Sequence, residues 1–181
     1  MKTVGISIEE WSELAKEGVF VPVEITLSGA SMQPLIRMNR DKVTILPVEK
    51  TEEEHSDPEN ADSENSGSQV PDLKEAAPEG SPLKVGDIVL FKLPNGIAVV
   101  HRIFRIEGEM VTTLGDNLPD PDPPMNRSQI LGKVIRIQRG RKILMTDSKE
   151  MQRYGKICMN LLPIRKRVLK LKYWLRKKQE K

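Results

Sequence analysis

The feature that most constrains the fold is a series of short, β-branched runs separated by turn-forming residues. Seven such runs occur, at 20–27, 42–46, 87–91, 97–106, 110–114, 130–138 and 142–145. Turn-favouring Pro, Asn, Gly and Asp separate them, as at Pro94-Asn95-Gly96. Strands this short and this numerous predict a mainly β protein built as a barrel or a sandwich. The lack of strand–helix alternation argues against a doubly wound nucleotide-binding fold.

Helices are predicted at the two ends of the chain. Ser7 and Glu10 have the spacing of a capping box ahead of a short helical pattern. Near the other end, apolar residues recur at helical intervals from Ile157 to Leu175, and Pro163 should kink this helix or begin a second one. We therefore expect three parts: an N-terminal helix over 1–18, a β domain over 19–147 and an amphipathic helical tail over 148–181.

Charge is strongly separated along the chain, although the formal net charge is only +3. The stretch from Lys50 to Lys84 holds ten acidic and three basic residues and has few bulky apolar side chains. A segment of this composition buries too little apolar surface to offset the loss of chain entropy on folding. We interpret 49–82, which includes His55, as a disordered acidic insertion in the β domain. The alternative is an acidic docking loop that folds back on the basic tail.

The C-terminal tail is basic. From Met151 to Lys181 there are eleven Lys or Arg residues and one acid, Glu180. One interpretation is a helix that packs on the β domain and exposes a solvated basic face. The other is a peripheral contact with an anionic membrane surface through 157–178. Nucleic acid is a disfavoured partner, because aromatic residues make up only 4% of the chain and no base-reading module is visible.

Composition excludes several classes of protein. Cys158 is the single cysteine and the chain has two histidines, so neither a disulfide framework nor a His/Cys metal cluster is expected, and no glycine-rich cofactor motif occurs. We predict no metal and no cofactor. No stretch approaches the roughly 20 apolar residues that cross a bilayer, and the N-terminus lacks the apolar core of a signal peptide. The expected location is the cytoplasm, with peripheral contact at the inner membrane face as an addition.

Three polar residues stand where strands meet turns. Ser31 follows a strand and a Gly-Ala pair, His101 lies inside an apolar strand, and Asp116 occupies a turn. A serine nucleophile needs a base to accept its proton, and often an acid to orient that base. Each residue also has an ordinary interpretation: a turn former, a satisfied core histidine and a hairpin turn, respectively. From their types and positions alone, the ordinary interpretation is favoured.

The motifs around these residues resemble a known family. Five blocks occur in the order found in type I signal peptidases, within the clan they share with the self-cleaving SOS repressors. The blocks are Gly29-x-Ser-Met-x-Pro34, Gly86-Asp-Ile-Val-Leu-Phe91, His101-Arg102, Gly115-Asp-Asn117 and Ile130-Leu-Gly-Lys-Val134. The resemblance covers about 23–139, with the acidic segment placed as an insertion. It implies a signal-peptidase-like β-barrel or sandwich fold and a serine endopeptidase that cleaves a peptide or precursor protein.

The resemblance also implies roles for individual residues. Ser31 would be the nucleophile, and His101 would be the general base, as in the endoplasmic-reticulum-like Ser-His branch of the family. A carboxylate in or just after the Gly-Asp-Asn block would complete the site, with Asp116 the first choice and Asp122 the alternative. The oxyanion and substrate subsite would comprise the Ser31 amide, the Ser28 hydroxyl and Met32.

One departure and two rivals accompany this prediction. The chain has no predicted anchor or export signal, so it is similar to the small soluble, anchorless relatives of the family. One rival is a non-catalytic module that keeps the fold to bind a peptide or a membrane. The other is a self-cleaving regulator, which is disfavoured because only about 18 residues precede the first strand and no Ala-Gly or Cys-Gly cleavage site precedes Ser31.

Overall fold

One curled antiparallel sheet forms the body of the protein in this computed structural model, which describes residues 7–48 and 82–179. The described residues form eight strands: β1 (Val23–Thr26), β2 (Lys42–Pro47), β3 (Ile88–Lys92), β4 (Ala98–Glu107), β5 (Met110–Leu114), β6 (Met125–Asn126), β7 (Ile130–Arg139) and β8 (Lys142–Met145). The strand order is β1-β2-β7-β3-β4-β5-β6, and β8 pairs with β7. The predicted acidic insertion over 49–82, with His55, lies outside the described residues except for Pro82.

The prediction of a mainly β protein is confirmed, and each of the seven predicted runs overlaps a strand. The first run was predicted to begin at Phe20, but β1 begins at Val23. Two features explain the later start: Pro22 has no N–H to donate to a ladder, and the carbonyl of Val21 accepts a hydrogen bond from Trp11 Nε1 at 2.7 Å. The two-residue strand β6 was not predicted, because it is too short to show alternation.

The sheet has an apolar cluster on each face. Along β3, Ile88 and Leu90 belong to one cluster while Val89 and Phe91 belong to the other. Successive side chains of a strand point to opposite faces, so a strand covered on both sides is apolar throughout. This explains why β3 is buried from Ile88 to Phe91. The same covering places β4, the neighbour of β3 and the strand that carries His101, in the interior.

Helix α1 (Ile8–Lys16) closes one side of the sheet. Its predicted capping box is confirmed, since the Ser7 side chain accepts from the Glu10 amide and the Glu10 carboxylate accepts from the Ser7 amide. Trp11 is 2% exposed and lies against Gly132 of β7. A Cβ at Gly132 would approach Trp11 Cη2 to 2.7 Å, so the missing side chain is what lets the helix pack so closely.

Two helices follow the sheet: α2 (Lys149–Asn160) and α3 (Leu162–Gln179). The predicted break at Pro163 is confirmed, because α3 begins one residue before this proline, where a missing N–H costs least. Helix α2 begins at the N-cap Ser148 and buries Met151 and Gly155 against the β domain. Among the described residues, no helix is both long and apolar enough to span a membrane.

Candidate active site

The loop after β1 and the turn after β5 meet at the candidate site. The backbone oxygen of Ser31 accepts a hydrogen bond from the Asn117 amide at 2.6 Å, and the Asn117 side chain donates to the Ala30 oxygen at 3.1 Å. A Cβ at Gly115 would lie 2.9 Å from the Ser31 oxygen. Two motifs whose contacting residues, Ser31 and Asn117, are 86 positions apart are therefore in direct backbone contact, and this contact requires a glycine at 115.

The loop that carries Ser31 is anchored by its own apolar residues. Met32 is fully buried (0% exposed), and Ile36 is buried beside it, with the Ile36 amide donating to the Met32 oxygen at 2.9 Å. Ser31 itself is half-buried, and Ser28 is exposed. The prediction that Met32 lies in the substrate subsite is wrong for its side chain, because an apolar side chain at this position gains more by joining the core. Met32 instead holds Ser31 in place.

His101 lies in β4, opposite Val89 of β3. His101 is 4% exposed, and Phe91 packs edge-on against the imidazole with the ring centroids 6.0 Å apart. Arg102, the next residue, is registered with Leu114. One antiparallel step from that pair therefore brings the backbone of His101 beside Gly115, the residue that touches the Ser31 loop. The sheet register thus brings the predicted base, His101, next to the glycine that contacts the Ser31 loop.

Asp122 contacts His101, and Asp116 does not. His101 Nδ1 lies 2.7 Å from Asp122 Oδ2, and the Thr113 hydroxyl donates to the same oxygen at 2.6 Å. The amide of Asp122 also donates to the Thr113 backbone oxygen at 2.8 Å. These bonds bring the loop after Asp116 back to β5, so that a residue six positions further along the chain reaches the imidazole.

Asp122 is held as a carboxylate. Burial raises the pKa of this group, but the hydrogen bonds from His101 and Thr113 outweigh burial and hold the pKa below its usual value. An ionised carboxylate only accepts hydrogen bonds, so the hydrogen-bond network assigns the imidazole proton to Nδ1. The neutral imidazole then has its lone pair on Nε2, as a general base requires.

The Nε2 atom of His101 is buried and has no hydrogen-bond partner within the described part of the chain. Ser31 Oγ is therefore not hydrogen-bonded to it in this structure. Leaving a buried polar atom unsatisfied costs about 1–3 kcal/mol. A hydroxyl that donated to Nε2 would remove this cost, and Ser31 is the predicted candidate whose loop already touches the neighbouring turn.

The choice of Asp116 as the partner of His101 is wrong. Arg102 Nε donates to Asp116 Oδ1 at 3.0 Å, and Arg102 Nη2 donates to Asp116 Oδ2 at 2.8 Å, with both side chains at most 3% exposed. Arg102 also donates to the Gly86 oxygen at 2.8 Å, and its guanidinium lies 5.7 Å from the centre of the Tyr154 ring. Adjacent residues of a strand point to opposite faces, and Asp116 pairs with Arg102 rather than with His101.

Thr113 and Arg102 are parts of this arrangement that were not predicted. Thr113 is fully buried in β5, where it continues the inward alternation of Val111. A polar side chain at a core position of a strand has to find a hydrogen-bond partner, so the alternation could have identified it. The same argument applies to Arg102, a charged residue within the apolar run of β4.

The remaining polar groups near the site do not form a metal centre. In residues 7–48 and 82–179, no group of three His, Cys, Asp or Glu side chains could hold a metal ion. Just beyond Ser31, an open concave surface is lined by Gln33, Pro34, Arg37, Met38 and Arg40. Comparison of the chain with models of protein families, with curated protein sequences and with solved structures finds no match.

Proposed function

We propose that the protein is a serine endopeptidase with Ser31 as nucleophile, His101 as general base and Asp122 as the carboxylate that orients the base. One observation carries the proposal: Asp122 binds Nδ1 of a buried imidazole whose Nε2 has no partner among the described residues. A carboxylate on Nδ1 and a free lone pair on Nε2 are what a serine-activating histidine needs. The five ordered sequence motifs support the same activity.

The chemistry follows from these positions. Nε2 of His101 accepts the Ser31 hydroxyl proton while Oγ attacks the scissile carbonyl carbon, and Asp122 stabilises the imidazolium that forms. The oxyanion would be bound by the Ser31 amide and the exposed Ser28 hydroxyl. The imidazolium then gives its proton to the leaving amine as the C–N bond breaks. Water, deprotonated by His101, hydrolyses the acyl-enzyme and restores the Ser31 hydroxyl.

The substrate class proposed is a peptide or precursor protein bound in extended form. This rests on the motif resemblance to type I signal peptidases, which also suggests a signal-peptidase-like barrel and processing of signal peptides. An open concave surface formed by residues that follow Ser31 in the chain, with two arginines, Arg37 and Arg40, is the candidate binding surface for such a peptide.

A second candidate is a non-catalytic module that binds a peptide with the same fold. It is favoured by one observation, the absence of a Ser31–His101 hydrogen bond in the described residues. A catalytic site can close this contact only when substrate is bound, since catalytic hydrogen bonds are often long in unliganded enzymes. The two candidates therefore differ in reactivity rather than in fold.

Reaction with a serine-directed acylating probe, read by intact mass, tests the proposal. Wild type should gain one adduct that maps to Ser31, and Ser31→Ala and His101→Ala should gain none. Ser128→Ala removes an exposed serine from the short 3-10 helix Arg127–Gln129 and should label like wild type. A folded wild-type sample that stays unlabelled across the pH range, or an adduct that persists in Ser31→Ala, would favour the binding module.

A further inference from the structure

The outer face of the C-terminal helices carries a row of exposed apolar side chains, which we call the apolar ridge. Its members are Ile157, Leu161, Ile164, Val168 and Leu171, each between 47% and 62% exposed. Single exposed apolar residues are common on protein surfaces, but a contiguous row marks an interaction site. The ridge crosses the α2–α3 junction without a break, because the Leu161 amide donates to the Ile157 oxygen and the Arg165 amide donates to the Leu161 oxygen.

The opposite face of the same helices packs on the β domain. Gly155 lies against Arg102, where an added Cβ would come within 3.0 Å of Nη1, and Met151 is buried. In α3, Lys166 forms an ion pair with Asp120 at 2.5 Å. Lys166 is two residues from Ile164, which is about 200° around a helix. The ion pair therefore faces the β domain while the ridge faces away from it.

The charge around the ridge selects its partner. From Met151 to Lys181 the chain has eleven basic residues and one acid. Of these, Arg153, Lys156 and Arg167 are exposed. An apolar row bordered by basic side chains is complementary to an anionic lipid surface, into which the apolar residues insert while the cations meet the headgroups.

A second copy of the chain fits the ridge less well. The 4-3-4-3 spacing from Ile157 to Leu171 is that of a coiled-coil seam, so two copies could in principle pair along it. Among the residues whose side chains the structure describes, Arg165 and Arg167 occupy positions that flank such a seam. Like charges at these flanking positions repel across a pair of identical helices. Electrostatics thus favours the lipid surface over self-association.

We propose that the apolar ridge docks on an anionic lipid bilayer, with α2 and α3 lying in the plane of the interface. Asp120, which pairs with Lys166 across the helix from the ridge, is two residues before Asp122. Docking would hold this loop about one helix diameter, roughly 10 Å, from the lipid surface. The proposal is independent of peptidase activity and applies equally to a Ser31→Ala protein.

Sedimentation of the full chain with vesicles tests the docking. Protein should sediment with phosphatidylcholine vesicles that contain phosphatidylglycerol and stay in solution with phosphatidylcholine alone. Ile164→Glu and Val168→Glu should each weaken the binding by about tenfold or more, because a carboxylate cannot enter the interface beside anionic lipid. The matched control is Ile143→Glu on β8, where the isoleucine is 54% exposed but off the ridge; it should bind like wild type.

Two charge-reversal variants provide a second comparison that leaves the apolar residues unchanged. Arg167→Glu and Arg141→Glu change the net charge equally, and both arginines are exposed, but only Arg167 borders the ridge. Arg167→Glu should weaken vesicle binding by about tenfold, and Arg141→Glu by much less. If thermal unfolding shows that a variant of the apolar ridge has lost its fold, the comparison of Arg167→Glu with Arg141→Glu still tests docking on the lipid surface.

Three results would overturn the proposal. The first is equal sedimentation with neutral and anionic vesicles. The second is an equal effect of the ridge variants and their controls. The third is a lipid-free dimer, seen by sedimentation equilibrium, that Val168→Glu converts to monomer, since the ridge would then be an interface between two copies. Because each measurement is made on the Ser31→Ala protein as well, failure of docking is separable from failure of the peptidase assignment.

Discussion

His101 Nδ1 and Asp122 Oδ2 are 2.7 Å apart in the interior of the protein, and Thr113 donates its hydroxyl to the same oxygen. This geometry sets the imidazole proton on Nδ1 and leaves Nε2 as the basic atom. The two carboxylates of this loop have different partners: Asp122 contacts His101, whereas both oxygens of Asp116 accept hydrogen bonds from Arg102.

Asp122→Asn should impair reactivity while leaving the fold intact. The amide can donate as well as accept, so it no longer holds the imidazole in the tautomer with its proton on Nδ1 and cannot stabilise the imidazolium. We expect the rate of Ser31 acylation by the probe to fall at least about a hundredfold, measured by intact mass against time. A rate within twofold of wild type would remove Asp122 from the proposed mechanism.

Asp116→Asn should lower the stability of the fold and should not act directly on the His101 imidazole. It leaves the buried guanidinium of Arg102 without a counter-charge, and breaking one partner of a buried ion pair costs about 3–5 kcal/mol in the free energy of unfolding. Urea unfolding of the variant measures this loss. The double change Arg102→Met with Asp116→Leu should recover much of it, because no unpaired charge remains. A variant as stable as wild type but unreactive would mean that Asp116, not Asp122, serves the chemistry.

Thr113→Val should slow acylation about tenfold, because Asp122 loses one of the two hydrogen bonds that position its Oδ2. Thr113→Ser retains the hydroxyl and should restore most of the rate. Both variants should be compared for their dependence of rate on pH, since a positioning role shifts this profile whereas a purely structural role does not. If valine and serine behave alike, the hydroxyl has no part in positioning the carboxylate.

Gly115→Ala should separate the Ser31 loop from the strand that carries His101. The new Cβ would stand 2.9 Å from the Ser31 backbone oxygen, so that loop has to move. A displacement of about 1 Å at a reacting group can cost about a hundredfold in rate. Gly29→Ala is the matched control, because its Cβ would meet nothing within 4 Å and its φ is not positive. Equal acylation rates for the two variants would contradict the close approach.

The lowered pKa of Asp122 predicts a loss of stability in acid. Because the folded protein holds this pKa below the unfolded value of about 3.9, the carboxylate contributes stability that is fully present above about pH 4 and is lost as the pH falls through the folded pKa. The difference in unfolding free energy between wild type and Asp122→Asn should therefore shrink below about pH 4. A difference that stays constant from about pH 6 to pH 3 would show that the carboxylate is not stabilised in the fold.

Much of the fold was predictable because its signals are local. The alternation of strands such as β2, with Val43 and Ile45 buried and Lys42 exposed, is visible in the sequence, as is the capping box at Ser7. The predicted boundaries of elements are wrong where a contact between residues distant in the sequence overrides the local pattern. The run from Phe20 did not begin a strand at that residue because Trp11 takes the Val21 carbonyl. The two-residue strand β6 is defined by its pairing with β5, a contact that the local sequence pattern does not show.

The sequence by itself determined the mainly β class, the helical ends and the charge separation, and it supplied the short list of candidate residues, Ser31 and His101 among them. Only the tertiary structure decided which carboxylate meets the imidazole. Asp116 and Asp122 both lie between β5 and β6 and are the same residue type, so the residue type alone could not show which of them contacts His101. The strand register puts Arg102 against Asp116, and the hydrogen bonds to Thr113 return Asp122 to His101. Such pairings depend on which backbones are neighbours in space, and local residue patterns do not encode that.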